Sequence, residues 1–374
     1  MISEYRRQLP FGMNRRLAEL QQSLHAKAVS KITSYGALDI PALDIDNPLI
    51  DLDCTGNYLL CAHADAHIRM YQLGGTLRPQ VTLVGRSDSH VFSHDSLPNS
   101  MEWYPTDNKL FVTTDSASRM NIWDAAFMAI VDNFTMQTNA LTHNICPASG
   151  GECLVAGKAN FVGLMSGGTG VYDIRTGIRV DMLRLQSPSG NLQGDVVVSW
   201  SPVQRHLLVT SERKRHPIVW DTRFTRHPLK QLHPETRMNM RRDNADGLSE
   251  LVTVVGGRFT RDGMYYIVMY GNRQVAVWKF PSMKMKLHHC MHGLIDPPYS
   301  AQSVRFDILE EPCFSKSLLF YPVENSVQIF SFEEKKVVAS HQVHLESIRT
   351  CILRRCCNQL ITCSYDSTCH ILGS

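Results

Sequence analysis

A ring of repeated β-blades is the fold class this sequence predicts, and three observations predict it. An aromatic residue closes a β-like run about every fifty residues: Tyr71, Trp123, Tyr172, Trp220, Trp278 and Phe330, with Leu372 in the same slot of a last copy. At Trp123-Asp124 and Trp220-Asp221 the closing pair is Trp-Asp, and Tyr172-Asp173 is a near relative. Between closers, short runs of β-branched and aromatic residues alternate with turn residues, as hairpins require. Together these are the signature of an all-β, seven-bladed WD-repeat β-propeller.

The clearest repeat runs from Ser100 to Asp124. Its spacing predicts strands over Met101–Tyr104, Leu110–Thr113 and Met120–Trp123, with Pro105 to Asn108 as a turn. Further copies span Val196–Arg223 and Gly256–Trp278. Repeats of this kind hold an Asp six residues before the closer, where a short carboxylate bonds nearby backbone N–H groups. Asp65 and Asp366 keep it, Asn272 and Glu324 substitute for it, and Ala117 and Lys214 lose it. Turn duty accounts for these acids better than catalysis does.

The last copy ends after its third strand, one strand short of a blade. An open ring exposes sheet edges and closure removes them, so Ala37–Asp46 is expected to supply the missing outer strand. The propeller then covers residues 37–374, with residues 1–34 as an N-terminal helical arm. In that arm Met13, Leu17, Leu20, Leu24 and Ala28 form one stripe at helical spacing, and Asn14 stands where a cap is needed. Such a helix either lies back on the propeller or enters a partner's apolar groove.

Composition narrows the function classes. The 374 residues are 43% hydrophobic and carry 38 basic against 35 acidic side chains, a balance that argues against a nucleic-acid coat. No apolar run follows Arg6 and Arg7, so no secretory signal is expected. No stretch approaches the roughly 18 apolar residues of a membrane span. Eleven cysteines include no C-x-x-C pair, so reduced core thiols are expected rather than zinc or disulfides. The sixteen histidines scatter, with His67, His143 and His344 near strand edges. There is no phosphate loop, H-E-x-x-H or G-x-S-x-G, and Gly167 to Gly170 is a lone turn. No enzyme, cofactor or metal is expected.

Two features point to binding. Tyr172-Asp173-Ile174-Arg175 and Trp220-Asp221-Thr222-Arg223 place an Arg just past the closing pair of consecutive repeats. There its planar fork would reach an acidic or carbonyl-rich partner from the bottom rim. The second feature is basic: Arg213, Lys214 and Arg215 in a turn, with Arg237, Arg241 and Arg242 in the following loop. Turn topology sends both segments to the opposite, top face, as a patch for an acidic protein or nucleic acid.

With the repeats laid out, the chain resembles the Cockayne syndrome A protein family, as a divergent member. The likeness runs from about Met13 onward. It rests on Glu102-Trp103-Tyr104-Pro105, Ser199-Trp200-Ser201-Pro202, Trp220-Asp221-Thr222-Arg223, Arg258 to Gly263 and Ser364-Tyr365-Asp366-Ser367. Leu372 departs from the Trp usual in that slot. The resemblance implies a nuclear, non-catalytic substrate receptor of a cullin-4 ubiquitin ligase, acting in transcription-coupled nucleotide excision repair. It implies that Met13, Leu17, Leu20, Leu24, Arg175, Asp221 and Arg223 engage the adaptor, damage-specific DNA-binding protein 1. Through it would come cullin-4 and a RING subunit. Stalled RNA polymerase II and Cockayne syndrome B-type factors would meet the face carrying Arg213, Lys214, Arg215, Arg237, Arg241 and Arg242. A scaffold in RNA processing or chromatin, without a ligase, is the alternative.

Overall fold

The computed structural model describes residues 33–38, 48–63, 67–75, 80–87, 98–115, 117–136, 140–150, 153–158, 169–183, 195–212, 216–233, 254–270, 274–290, 304–311 and 313–373. The helical stripe Met13, Leu17, Leu20 and Leu24 lies outside the described residues. So do Asp65, Asn272 and the whole basic set Arg213, Lys214, Arg215, Arg237, Arg241 and Arg242.

The described chain is all-β apart from two short 3-10 turns, with its strands in antiparallel four-stranded sheets. Strand β1 (Thr33–Leu38) stands apart from the consecutive ones. The first consecutive sheet holds β2 (Ile50–Leu52), β3 (Tyr58–Ala62), β4 (Ile68–Gly74) and β5 (Gln80–Arg86). Next come β6 (Pro98–Trp103), β7 (Leu110–Asp115), β8 (Arg119–Asp124) and β9 (Ala129–Thr135). The third has β10 (Ala140–Ile145), β11 (Cys153–Lys158), β12 (Thr169–Asp173) and β13 (Ile178–Leu183). The fourth has β14 (Asp195–Trp200), β15 (Leu207–Glu212), β16 (Ile218–Asp221) and β17 (Lys230–Gln231). The fifth has β18 (Val254–Phe259), β19 (Tyr265–Tyr270), β20 (Gln274–Lys279) and β21 (Lys284–Cys290). The sixth has β22 (Asp307–Leu309), β23 (Leu318–Val323), β24 (Ser326–Ser331) and β25 (Lys336–Gln342).

Six blades are thus built from uninterrupted segments, against the seven repeats read in the sequence. The seventh repeat supplies only β26 (Ile348–Arg354), β27 (Gln359–Ser364) and β28 (Cys369–Gly373), and it reaches four strands by taking β1. Thr33 pairs with Gly373 and Leu38 with Cys369. The strand expected over Ala37–Asp46 shares only Ala37 and Leu38 with β1, and residues 39–46 lie outside the described ones. Thr33 and Ser34, assigned to the arm from sequence, belong to this strand. Side-chain periodicity did not separate the helical stripe from the strand that follows it.

Alternation along each strand makes the packing. Successive side chains point to opposite faces, so neighbours in sequence enter different apolar clusters. Phe111 and Trp123 pack with Leu60 and Met70 of the preceding sheet, whereas Val112 and Ile122 pack with Ile145 and Tyr172 of the next. Each aromatic closer plugs the gap to the sheet before it, as Trp278 does against Val209 and Val219, and Phe330 against Ile267 and Val277. All seven closing residues, Leu372 included, are buried, each contributing roughly 1.5–3 kcal/mol through its apolar surface. The indoles are also satisfied: Trp123 Nε1 donates to Thr113 Oγ1 at 2.9 Å and Trp220 Nε1 to Thr210 Oγ1 at 3.0 Å.

The turn acids follow the expectation in part. Asp366 accepts from Thr368 N at 2.9 Å and Leu345 N at 2.9 Å, and stands 3.2 Å from His344 Nδ1. In the second sheet, where Ala117 breaks the pattern, Asp115 does the work from two residues upstream, accepting from Arg119 N and Nε at 2.9 Å each. Glu324 acts through its backbone: it adopts φ 50° and its carbonyl accepts from Ile348 N. The cysteines are a partial correction. Cys61, Cys146, Cys351, Cys363 and Cys369 are buried, but Cys54, Cys313 and Cys356 are exposed.

Closure has a second fastening besides β1. Arg354 is 3% exposed and reaches from the last repeat into the first sheet. It donates to Gly56 O at 2.6 Å, Leu73 O at 2.7 Å and Gly75 O at 3.3 Å. The carbonyls of buried Gly56 and Leu73 lose this donor if it is truncated, and each unsatisfied buried group costs about 1–3 kcal/mol. Arg354→Met is therefore expected to lower urea-unfolding stability by about 3 kcal/mol or more. A loss below about 1 kcal/mol would show that β1 closes the ring alone.

Candidate docking faces and the central channel

In each sheet the first-to-second and third-to-fourth turns lie at one end, here called the lower rim. Arg175 and Arg223 follow β12 and β16, so both stand on that rim in consecutive sheets. Each guanidinium is clamped by its own strand-end carboxylate. Arg223 donates Nε to Asp221 Oδ1 at 2.9 Å and an outer nitrogen to Oδ2 at 2.6 Å. Arg175 does the same to Asp173 at 3.2 and 3.0 Å. The hydrogen bond from each Arg holds its Asp below the usual carboxylate range. About 60% of both Arg side chains remains open to solvent, so the pairs orient the forks and add little stability.

This geometry refines the sequence reading. Nε and one outer nitrogen of each fork are spent on the brace. Asp221, expected as a contact, is buried and serves as that brace. The rim is also apolar, which sequence spacing had not flagged: Phe127, Val203 and Phe224 are all more than 60% exposed. Arg223 lies over the Phe224 ring at 5.9 Å from its centroid.

Inside the ring, the first strand of each sheet faces the first strands of its neighbours around a central channel. An antiparallel strand aims every second N–H away from its partner. Tyr104 N bonds Leu110 O in the ladder, so Trp103 N points out of it. Asp51 of the preceding sheet accepts that hydrogen at 2.7 Å. The same step recurs: Glu102 accepts from Ile145 N at 2.9 Å, Asn144 from Trp200 N at 2.8 Å, and Asp307 from Leu353 N at 2.9 Å. Arg258 inverts the polarity by donating to Phe306 O at 2.9 Å. Sequence reasoning missed these residues. The available signal was a polar residue directly before the apolar one that ends several first strands, as in Glu102-Trp103 and Arg258-Phe259.

The links bring charges together. Arg305 pairs with Asp51 at 2.9 Å, while Asp307 is shared by Arg258 at 2.9 Å and Arg355 at 2.6 Å. Burial raises the Asp307 carboxyl, but Arg258 and Arg355 outweigh it and hold the group below its ordinary value. Burial, then the charge of Asp51, push Glu102 up to about 8. Burial, then Arg305, press His143 down to about 3. A cavity of about 330 Å³ opens among these residues. Among the described residues no group of His, Cys, Asp and Glu has the arrangement of a metal site.

Glu102 gives a pH prediction. Its pKa is raised in the folded state, so the stability it contributes is present in full below about 4.5 and is lost as pH rises toward about 8. Glu102→Gln, which cannot ionise, should be about 1 kcal/mol less stable than wild type in acid, for one lost acceptor. The stability gap between the two should then narrow from pH 5 to pH 8 as the wild type loses this contribution. Parallel melting profiles would mean that Glu102 ionises freely.

No protein-family model matches the chain. It is similar to the WD repeat-containing protein ATCSA-1 of Arabidopsis thaliana, at 20% identity over 383 residues covering 85% of this chain and 83% of that protein. The sheet arrangement and this likeness together describe a WD-repeat scaffold.

Proposed function

We propose that this scaffold is the substrate-receptor subunit of a cullin-4 ubiquitin ligase acting in transcription-coupled nucleotide excision repair in the nucleus. The reading rests on the resemblance to Cockayne syndrome A proteins, and the WD-repeat likeness at 20% identity agrees with it at the level of architecture. The observation that carries it is the pair of clamped Arg forks on consecutive sheets, Asp173–Arg175 and Asp221–Arg223, beside exposed Phe224. Two braced cations on consecutive blades, with an exposed aromatic beside Arg223, suit a carbonyl-rich protein surface. Damage-specific DNA-binding protein 1 would dock there, and the N-terminal stripe Met13, Leu17, Leu20 and Leu24 would enter its groove. Cullin-4 and its RING subunit would follow through that adaptor. The basic set Arg213, Lys214, Arg215, Arg237, Arg241 and Arg242, expected from sequence on the opposite face, would meet stalled RNA polymerase II or Cockayne syndrome B-type factors. The chain would position a target and carry no transfer chemistry.

Affinity purification of the full chain tests this. The wild type should retain the adaptor and cullin-4. Arg223→Ala should weaken adaptor binding about tenfold or more, the scale of a charge-assisted hydrogen bond. Arg223→Lys should rescue poorly, because an ammonium cannot be held by both Asp221 oxygens and still offer an ordered edge. Leu17→Asp with Leu20→Asp should abolish binding with the melting temperature unchanged. Purification without adaptor or cullin-4, but with RNA-processing or chromatin proteins, would replace the ligase reading by the plain scaffold.

A further inference from the structure

We propose that Cys356 and Cys357 form a vicinal dithiol site on the lower rim, one that captures a trivalent, pyramidal thiophilic centre of the arsenical class. This does not depend on the ligase reading.

The turn that carries them is the first argument. Neighbouring side chains in a strand point to opposite faces, so adjacent cysteines in a strand cannot act together. These two fall instead in the turn between β26 and β27. Cys357 N donates to Arg354 O at 3.3 Å and Asn358 takes a left-handed φ of 52°, which reverses the chain. The two sulfurs consequently lie 3.5 Å apart. Cys356 is exposed and Cys357 partly buried, so a ligand reaches the pair from solvent. Both flanks are fastened. Arg354 holds carbonyls of the first sheet, and Arg355 donates to Asp307 Oδ1 at 2.6 Å and Ile308 O at 2.9 Å in the sixth. Across the seam, a Cβ at Gly56 would stand 3.1 Å from Cys356 Sγ, so the glycine leaves that sulfur its space. The dithiol is thus preorganised before any ligand arrives.

The sulfur separation selects the ligand. A disulfide would have to draw the sulfurs to about 2.05 Å, between Cα atoms only about 3.8 Å apart along the chain. An atom inserted between the sulfurs needs no such approach. With bonds of about 2.3 Å, the length of a metal–thiolate bond, it spans the observed 3.5 Å at an angle of about 100°. A linear two-coordinate ion with such bonds would need the sulfurs about 4.6 Å apart. Zinc would need further ligands, and among the described residues no group of His, Cys, Asp and Glu could hold a metal ion. A pyramidal trivalent centre fits, its third position kept by its own substituent.

Capture exchanges oxygen for sulfur without a change of oxidation state. The two S–H bonds and the arsenic–oxygen bond of an organic arsenoxide break, two arsenic–sulfur bonds form, and the oxygen leaves as water with both protons. The thiolate is the attacking form. Burial, then the hydrogen bond to Cys356, raise the Cys357 thiol, so Cys357 keeps its proton and points it at Cys356. The exposed Cys356 attacks first, and Cys357 then closes the ring in an intramolecular step favoured by its high effective concentration.

Intact-mass measurement of the folded, reduced full chain after treatment with phenylarsine oxide tests the assignment. One adduct per chain should survive a wash with excess 2-mercaptoethanol and be removed by dithiothreitol, because only a two-thiol competitor matches the chelate. Cys356→Ser and Cys357→Ser should each cut resistance to the monothiol roughly a hundredfold. Neither change touches the Arg354 or Arg355 side chains, so the melting temperatures should match the wild type. Cys54→Ser and Cys313→Ser, which remove other exposed thiols, should behave as the wild type does. Absence of a monothiol-resistant adduct in the wild type, or its persistence in Cys356→Ser or Cys357→Ser, overturns the proposal.

Discussion

Side-chain oxygens of one sheet satisfying the inward N–H groups of the next are what the rest of this structure depends on. The first strand of every blade is an edge, and an open edge frays or pairs with foreign strands. Asp51, Glu102, Asn144 and Asp307 each close that edge on the following sheet. Each therefore fixes the angular step between blades as well as satisfying a donor. Arg258 reverses the relay by donating to Phe306 O, and two further steps interrupt it. Ser199 makes no such link to the fifth sheet among the described residues, and Ile352 has no polar atom to offer the first. At the second gap Arg354 and β1 take over, so the two ends of the chain meet where the relay is weakest.

This way of holding the ring has an electrostatic consequence. Polar groups placed on the inner strands for structural reasons share a walled channel, where interactions are stronger than in water. Asp51 is driven up by burial against the pull of Arg305, Glu102 is driven up to about 8, and Asp307 is held down by two arginines. Arg305 and Asp51, and Arg258 and Arg355 with Asp307, thus form opposite-charge pairs inside the ring. The links between sheets and the ion pairs of the channel therefore come from the same residues.

The sequence disclosed the architecture far better than the site. Closers such as Trp123 and Trp220 were legible because a buried aromatic at a fixed turn spacing leaves a periodic mark. The Arg175 and Arg223 positions were legible too, since they follow from the closers by counting. Their clamping by Asp173 and Asp221 was not read, because a two-residue bond needs the local turn to be known. The latch was expected from a missing strand, but its range was drawn too late, at Ala37 instead of Thr33. The channel relay was invisible for a chemical reason. Asp51, Glu102, Asn144, Arg258 and Asp307 share a slot but not a residue type, so only their geometry unites them.

Amide hydrogen exchange resolved to Trp103, Ile145, Trp200 and Leu353 is the most direct measurement of this dependence. These amides bond to side chains of the preceding sheets instead of a strand partner. If side chains of the preceding sheets hold them, they should exchange as slowly as the ladder amides of β19 and β23, by opening of the whole ring. Slow exchange at Trp103 should also be lost selectively in Asp51→Ala. Exchange at rates of exposed loops in the native protein would contradict the account, leaving apolar packing between sheets as what holds the ring.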